Sequence, residues 1–187
     1  MFILTDFNIK TLNKEGIEKL FNIFKRDFID NQTILQKEDI SFDIDVKADK
    51  LCPCPFGNNV SKPERFWHII TITENKVKHK NNPCPDKIEK NRKYDEARAK
   101  RIHWIKILID NWQTDDDIEY FYQKRENKVN LIIWHIKKDF LVIIRKLSHT
   151  NDKFLVSSYL IYRSEIRRYE KQLKEYKEEA PNGLEWF

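Results

Sequence analysis

Three apolar runs in the last third of the chain, separated by short polar connections, constrain its fold more than any other feature. They lie at residues 129–137, 140–147 and 153–162 and are rich in Val, Ile, Phe, Tyr and Trp. Such side chains favour β-strands, and connections as short as these join antiparallel neighbours, because a parallel pair needs a long crossover. The sequence therefore predicts a meander, with residues 117–126 as a fourth strand before it.

The last of these runs carries polar residues at its centre. Strand alternation places Leu155, Ser157 and Tyr159 on one face and Ser158 on the other. Two adjacent serines interrupt the apolar pattern on both faces. This arrangement fits either a sheet with a partly solvated outer face or a sheet that carries a polar site.

The rest of the chain predicts helices around this sheet. Apolar residues recur at helical spacing over residues 13–30, 87–112 and 164–179. The sequence also predicts a strand over Ile40–Val46, a loop over residues 51–63, a strand or a buried turn over residues 65–71, and a loop over residues 74–90. We expect an α+β fold, with N-terminal helices followed by a four-stranded antiparallel meander and a C-terminal helix.

Composition indicates one globular domain over residues 1–187 that works in a reducing cytoplasm. The chain is 40% hydrophobic, has no apolar run long enough to span a membrane and begins without a basic leader. Three cysteines do not make a disulfide framework. The candidates for a zinc site are Cys52, Cys54 and Cys84 with His68 or His79. The close spacing of Cys52 and Cys54 is unlike that of structural zinc sites, so we expect no metal and no cofactor.

The net charge of +5 is unevenly distributed along the chain. Residues 76–106 carry 11 Lys and Arg against 4 Asp and Glu, and residues 124–146 carry 7 against 2. These two segments predict a basic surface that suits RNA or another polyanion. A solvated lysine-rich face would give the same counts.

Two features before the meander carry chemistry. Arg98 and Arg101 lie on or beside the apolar stripe of the helix predicted over residues 87–112, where a guanidinium needs a carboxylate or a bound anion as partner. His68 lies in an aromatic run and fits either a hydrogen-bonded core histidine or a catalytic imidazole.

Three short motifs carry a resemblance to a known superfamily. They are Phe66-Trp-His-Ile-Ile-Thr71, Arg98-Ala-Lys-Arg-Ile-His-Trp-Ile105 and Phe154-Leu-Val-Ser-Ser-Tyr159. In order and spacing they resemble motifs of the phage- and plasmid-associated ribonucleases of the barnase–EndoU–colicin–RelE superfamily. The resemblance spans roughly residues 63–176. Residues 1–62 then form a helix-strand extension to a nuclease-like core at residues 63–179.

The resemblance implies metal-independent RNA cleavage, in which a ribose 2′-hydroxyl attacks the adjacent phosphorus. It implies acid–base catalysis by His68, phosphate binding by Arg98 and Arg101, and hydrogen bonds from Ser157 and Tyr159. Ser157 departs from the usual threonine of the third motif. Lys93, Lys100 and Arg145, from the two basic segments, are predicted to bind RNA. The resemblance further implies a toxin or defence effector with a neutralising partner protein.

The sequence leaves other functions and other catalytic residues open. Asp43, Asp45 and Lys47 alternate along a predicted strand, as a metal-dependent nuclease would require. The same basic surface also suits an RNA- or protein-binding module without catalysis. His103 and His135 are further imidazoles that the sequence does not exclude from a catalytic role.

Overall fold

The computed structural model describes residue 6 and residues 13–42, 51–52, 62–73, 92–125, 128–147 and 152–179. Its α-helices are α1 (Lys14–Lys25), α2 (Glu64–Ile70), α3 (Glu96–Ala99), α4 (Trp104–Asn111) and α5 (Arg163–Glu179). Its strands are β1 (Ile34–Leu35), β2 (Glu38–Ser41), β3 (Leu51–Cys52), β4 (Lys62–Pro63), β5 (Thr71–Thr73), β6 (Arg92–Tyr94), β7 (Ile118–Arg125), β8 (Lys128–His135), β9 (Phe140–Lys146) and β10 (Lys153–Leu160). A π-helical turn at Arg26–Asp30 continues α1. Within the described ranges no helix is both long and apolar enough to cross a membrane.

The main sheet confirms the α+β class and corrects the predicted topology. Its strand order is β1-β2-β10-β9-β8-β7, so the four predicted strands are consecutive antiparallel neighbours. The prediction of a four-stranded antiparallel meander was nevertheless wrong, because β1 and β2 extend the sheet to six strands and β2 pairs with β10 in parallel.

The added hairpin is held by its turn and by a buried lysine. Gln36 and Lys37 both have positive φ, at 53° and 69°, as a tight turn between β1 and β2 requires. The Lys153 ammonium donates to the carbonyl oxygen of Leu35 over 2.9 Å and lies 3.2 Å from a carboxylate oxygen of Glu38. A strand was predicted over Ile40–Val46; the structure has it at Glu38–Ser41, and residues 43–46 lie outside the described ranges.

Helices cover both faces of the sheet. The larger core cluster joins α1, α2 and α4 to one face, and the smaller cluster joins α5 to the other. Ile17, Leu20 and Phe24 of α1 are fully buried in the larger cluster. The predicted N-terminal extension therefore contributes side chains to the same core as the rest of the described chain.

Residues 64–70 form helix α2, which corrects the predicted strand or buried turn. Phe66, Trp67, Ile69 and Ile70 are all buried, and their spacing fits one broad face of a helix. The Thr71 hydroxyl donates to the carbonyl oxygen of Trp67 over 2.5 Å at the helix end. Aromatic and β-branched composition favours a strand, but burial of this helical face overrides the local preference.

The continuous helix predicted over residues 87–112 is also corrected. Residues 92–94 form β6, which pairs with β5, and the helical residues divide into α3 and α4. Asp95 sets the start of α3, because its carboxylate accepts from the backbone N–H of Arg98 over 3.1 Å and caps the helix. Residues 87–91 lie outside the described ranges.

β10 contains a β-bulge at Val156. Leu155 and Ser157 pair with the consecutive residues Ile144 and Ile143 of β9, so Val156 is an extra residue between them. The Arg65 guanidinium donates to the carbonyl oxygen of Val156 over 2.6 Å and lies 4.5 Å from the ring centroid of Phe154. The bulge reverses the predicted alternation, so that Leu155 lies in the larger cluster while Tyr159 contacts the smaller one.

We expect Arg65→Ala to lower the free energy of unfolding by about 1.5–3 kcal/mol. The substitution removes a charged hydrogen bond to the bulged backbone and the cation–π contact with Phe154. Urea denaturation measures the effect. Lys174→Ala, at an exposed position of α5, is the control and should change stability by less than about 0.5 kcal/mol. Equal effects of the two substitutions would show that Arg65 does not hold the bulge.

Candidate functional site

A pocket of about 250 Å³ lies where α3 and the start of α5 meet the end of β10. Its lining is Ile72, Asp95, Ala97, Arg98, Tyr159, Leu160, Tyr162 and Glu165. Arg98 and Tyr159 were both predicted to be functional, and the fold places them together here. The volume is slightly below the roughly 300 Å³ at which sites for drug-sized ligands begin, so the pocket suits a small group.

Arg98 is the cation of this pocket and is held from two sides. Its Nη1 donates to the carbonyl oxygen of Thr71 over 3.3 Å, and its Nε lies 3.4 Å from Oδ2 of Asp95. Its Cζ lies 5.2 Å from the ring centroid of Tyr159. Burial lowers the pKa of Arg98 from its ordinary value, and Asp95 opposes this shift. Among the described residues no partner engages Nη2, which leaves that nitrogen for a ligand.

Tyr159 links the pocket to α5. Its hydroxyl lies 2.7 Å from the hydroxyl of Tyr169, which is buried in the smaller core cluster. Burial and this hydrogen bond raise the pKa of Tyr159. The hydroxyl therefore stays protonated at neutral pH and is a hydrogen-bonding group, not a phenolate base.

The carboxylates of the pocket are each paired with a nearby arginine. Asp95 contacts Arg98, and a carboxylate oxygen of Glu165 lies 2.9 Å from Nη2 of Arg168. Tyr162 also lines the pocket and is 65% exposed, the largest value among the described large hydrophobic residues. The pocket is thus close to electrically neutral and combines a guanidinium, carboxylates and aromatic rings.

His68 lies outside this lining. It is in α2, where its Nε2 lies 3.2 Å from a carboxylate oxygen of Glu64, and its side chain is 29% exposed. An imidazole beside a carboxylate is suited to proton transfer. The C-terminal end of α2 leads directly to Thr71, whose carbonyl accepts from Arg98. The catalytic role of His68 stays a prediction.

Arg101 faces away from the pocket lining. Its Nη2 lies 2.8 Å from Oδ2 of Asp6, its Nη1 donates to the carbonyl oxygen of Ala97 over 2.7 Å, and it stacks 5.0 Å from the ring of Trp104. These contacts supply the inward guanidinium with a carboxylate partner. Phosphate binding by Arg101 stays a prediction.

The predicted RNA-binding residues do not line the pocket. Lys100 contacts Glu96 one turn earlier, and Arg145 Nε donates over 2.9 Å to the amide oxygen of the buried Asn130. Lys93 lies in β6, but its side chain is outside what the structure describes. RNA binding by these three residues stays a prediction.

The remaining candidates occupy separate places. Ser157 is half-buried, and the register puts it on the same face of β10 as Tyr159, as predicted. His103 precedes α4, with its ring 6.5 Å from that of Trp104. His135 is 6% exposed at the end of β8.

The described residues contain no group of three or more His, Cys, Asp or Glu side chains that could hold a metal ion. Asp43, Asp45 and Lys47 lie outside the described ranges, as do Cys54, His79 and Cys84 of the candidate zinc set. The metal-dependent alternative therefore stays a prediction, because its candidate ligands lie outside the described ranges.

Sequence reasoning missed Asp95, Tyr162 and Glu165. Asp95 had a detectable signal, because an aspartate three residues before Arg98 is a typical helix N-cap. Tyr162 and Glu165 had none, since they line the pocket only because α5 begins beside the end of β10.

The chain matches no protein-family model, no curated protein and no solved structure.

The buried histidine predicts a specific pH dependence of stability. Burial lowers the pKa of His135, Lys138 adds to this effect, and Asp117 and Asp115 oppose it. His135 therefore takes up its proton at a higher pH in the unfolded chain, near 6.5, than in the folded chain. The free energy of unfolding should decrease as the pH falls from about 6.5 to the folded-state pKa. We expect His135→Gln to flatten this part of the profile, measured by urea unfolding between pH 7.5 and 4.5. Parallel profiles for the variant and the original chain would assign the pH dependence to other groups.

The partner of Arg101 predicts a coupling in stability. We expect Arg101→Ala to destabilise the protein by on the order of 1 kcal/mol, and Asp6→Asn to add little once Arg101 is absent. A double-mutant cycle of thermal unfolding measures this coupling. A loss of RNA binding in Arg101→Ala but not in Asp6→Asn would assign the guanidinium to a ligand instead.

Proposed function

We propose that the protein is a metal-independent endoribonuclease that binds one nucleotide of its substrate in the Arg98 pocket. The observation that supports this proposal most is the arrangement of Arg98. Its guanidinium is fixed by Asp95 and Thr71 beside the ring of Tyr159, and no described residue binds its Nη2, which could donate to an incoming acceptor. A guanidinium held in this way is a preorganised donor for a phosphate oxygen.

The other pocket groups favour a nucleotide over a free phosphate ion. Because Asp95 and Glu165 balance the arginines, a multiply charged anion gains little from this pocket. A phosphodiester carries a single charge, and a nucleotide adds hydroxyl and amino donors that carboxylates accept. The exposed ring of Tyr162 offers a stacking surface for its base.

The proposed reaction is intramolecular transesterification. The ribose 2′-oxygen bonds to phosphorus while the bond from phosphorus to the 5′-oxygen breaks, which gives a 2′,3′-cyclic phosphate and a free 5′-hydroxyl. A base takes the 2′-hydroxyl proton, and an acid returns a proton to the departing 5′-oxygen. Arg98 stabilises the charge on the phosphate oxygens as the pentacoordinate transition state forms.

Two groups are suited to the proton transfers. His68, with Glu64 beside it, is the imidazole that the sequence predicts. Glu165 is the carboxylate that the fold places in the pocket lining itself. The proposal assigns His68 to the acid–base work, because imidazole exchanges protons near neutral pH, and Glu165 is the competing base.

The remaining functional expectations belong to the same proposal. Composition supports a single domain and a cytoplasmic location. The superfamily resemblance supports a nuclease-like core at residues 63–179 and a toxin or defence role with a neutralising protein partner.

A second candidate function is RNA binding without cleavage. It is favoured by the observation that no histidine lines the described pocket. Both functions use Arg98 and Tyr162 in the same way, so they differ only in whether bound RNA turns over.

We expect the protein to cleave a mixed RNA pool in the presence of a chelator and to leave cyclic phosphate ends. His68→Ala should lower the rate by about 10²–10⁴-fold at an unchanged thermal midpoint, because it removes a proton-transfer group. Arg98→Gln should give a comparable loss. Lys19→Gln, which removes one charge from an exposed residue of α1 that is paired with Glu15, is the matched control and should keep full activity.

The other outcomes separate the candidates. Binding without turnover would establish the second function. Activity that needs added magnesium would move the chemistry to Asp43 and Asp45. A rate lost in Glu165→Gln but kept in His68→Ala would assign the base to the pocket carboxylate.

A further inference from the structure

The first turns of α5 carry a second surface beside the pocket. We propose that single-stranded RNA leaves the pocket across this surface, with Tyr162 stacking on the base of the nucleotide at the pocket rim and Arg163 and Arg167 binding the next phosphates. The inference rests on the proposed RNA-binding function of the Arg98 pocket and extends it to the substrate class, a single strand of several nucleotides.

A second hollow lies directly beside the pocket. It is open and has a volume of about 580 Å³, and its lining is Arg163, Ser164, Ile166, Arg167 and Glu170. Tyr162 and Glu165 line the pocket itself. Since these two sets alternate along the start of α5, only the first turn of this helix separates the pocket from the hollow.

The basic residues of α5 fall into two groups. Those further along the helix have carboxylate partners: Arg168 with Glu165, Lys171 with Glu175, Lys174 with Glu178, and Lys177 with Glu119. Arg163 and Arg167 are exposed, and in the described part of the chain no carboxylate lies within ion-pair distance of either. Like charges four residues apart on a helix repel each other. A polyanion bound across both arginines would relieve that repulsion.

The spacing fits a nucleic-acid strand. Four residues advance about 6 Å along a helix, and a stacked strand carries a phosphate about every 3.4 Å. Arg163 and Arg167 therefore span about two phosphates. Sites for single strands combine such cations with exposed aromatic rings, and Tyr162 supplies the ring. Glu170 lines the far side of the hollow and would repel a phosphate beyond Arg167, so the path ends there.

The test compares binding of a long and a short RNA to the full chain. The ligands are a ten-nucleotide strand and a dinucleotide, both 2′-O-methylated so that they cannot be cleaved, and binding is measured by fluorescence anisotropy and competition. The variant is Arg163→Gln with Arg167→Gln. The matched control is Lys171→Gln with Lys174→Gln, which removes the same charge from the same helix at paired positions.

We expect the arginine variant to bind the ten-nucleotide strand at least about tenfold more weakly. Its plot of log affinity against log salt concentration should become shallower by about 1.4, because two phosphate contacts are lost. Dinucleotide binding should not change, and the lysine control should bind both ligands as the original chain does. Tyr162→Ala should weaken binding of both ligands without altering the salt slope.

Four outcomes would overturn the proposal. Equal losses in the arginine variant and the lysine control would show a general charge effect, and equal competition by a polyglutamate peptide would indicate an acidic protein as the occupant. Unchanged binding in the arginine variant, with both ligands lost in Arg98→Gln, would reject the path while keeping the pocket. If Arg98→Gln alters neither ligand, the proposed function and the path both fail.

Discussion

The contact between Arg65 and the bulged carbonyl of Val156 is the constraint on which the candidate site depends. One extra residue in β10 reverses the faces of every residue after it, because strand side chains alternate with period two. Leu155 can then fill the larger core while Tyr159, four residues later, faces α5. Without the bulge the ring of Tyr159 would face the larger core, and Arg98 would lose the surface on which it stacks.

Composition was sufficient to predict the strands but not their place in the sheet. The four strands of residues 118–160 follow from runs of branched and aromatic residues with short connections. The parallel pairing of β2 with β10 and the hydrogen bond from Lys153 to the carbonyl oxygen of Leu35 in β1 both join residues more than a hundred positions apart, which no local pattern encodes. The prediction of a strand or buried turn at α2 was wrong for a related reason. Its aromatic residues favour a strand locally, but packing against α1 and β10 stabilises the helix.

The site was predictable in its parts but not in its assembly. Arg98 and Tyr159 came from separate motifs, and their contact at 5.2 Å supports grouping them. Arg101 shared the motif of Arg98, yet the break after α3 turns it towards Asp6. A guanidinium on an apolar stripe requires a partner, but the sequence does not say whether that partner is a side chain or a ligand. Arg98 and Arg101 differ in which nitrogens of the guanidinium are bound by described neighbours: Nη1 and Nε in Arg98, and Nη1 and Nη2 in Arg101.

The two faces of the sheet differ in how much apolar surface they bury. The larger cluster buries most of the apolar side chains, whereas the smaller cluster is a thin layer under α5 that contains the hydroxyl pair of Tyr159 and Tyr169. Changes at the exposed start of α5 therefore cost little core packing, because Tyr162, Arg163 and Arg167 project into solvent. The same helix is fixed further along by Lys177, which pairs with Glu119 of β7. Helix α5 is therefore anchored by an ion pair near its end, whereas Arg163 and Arg167 at its start have no carboxylate partner among the described residues.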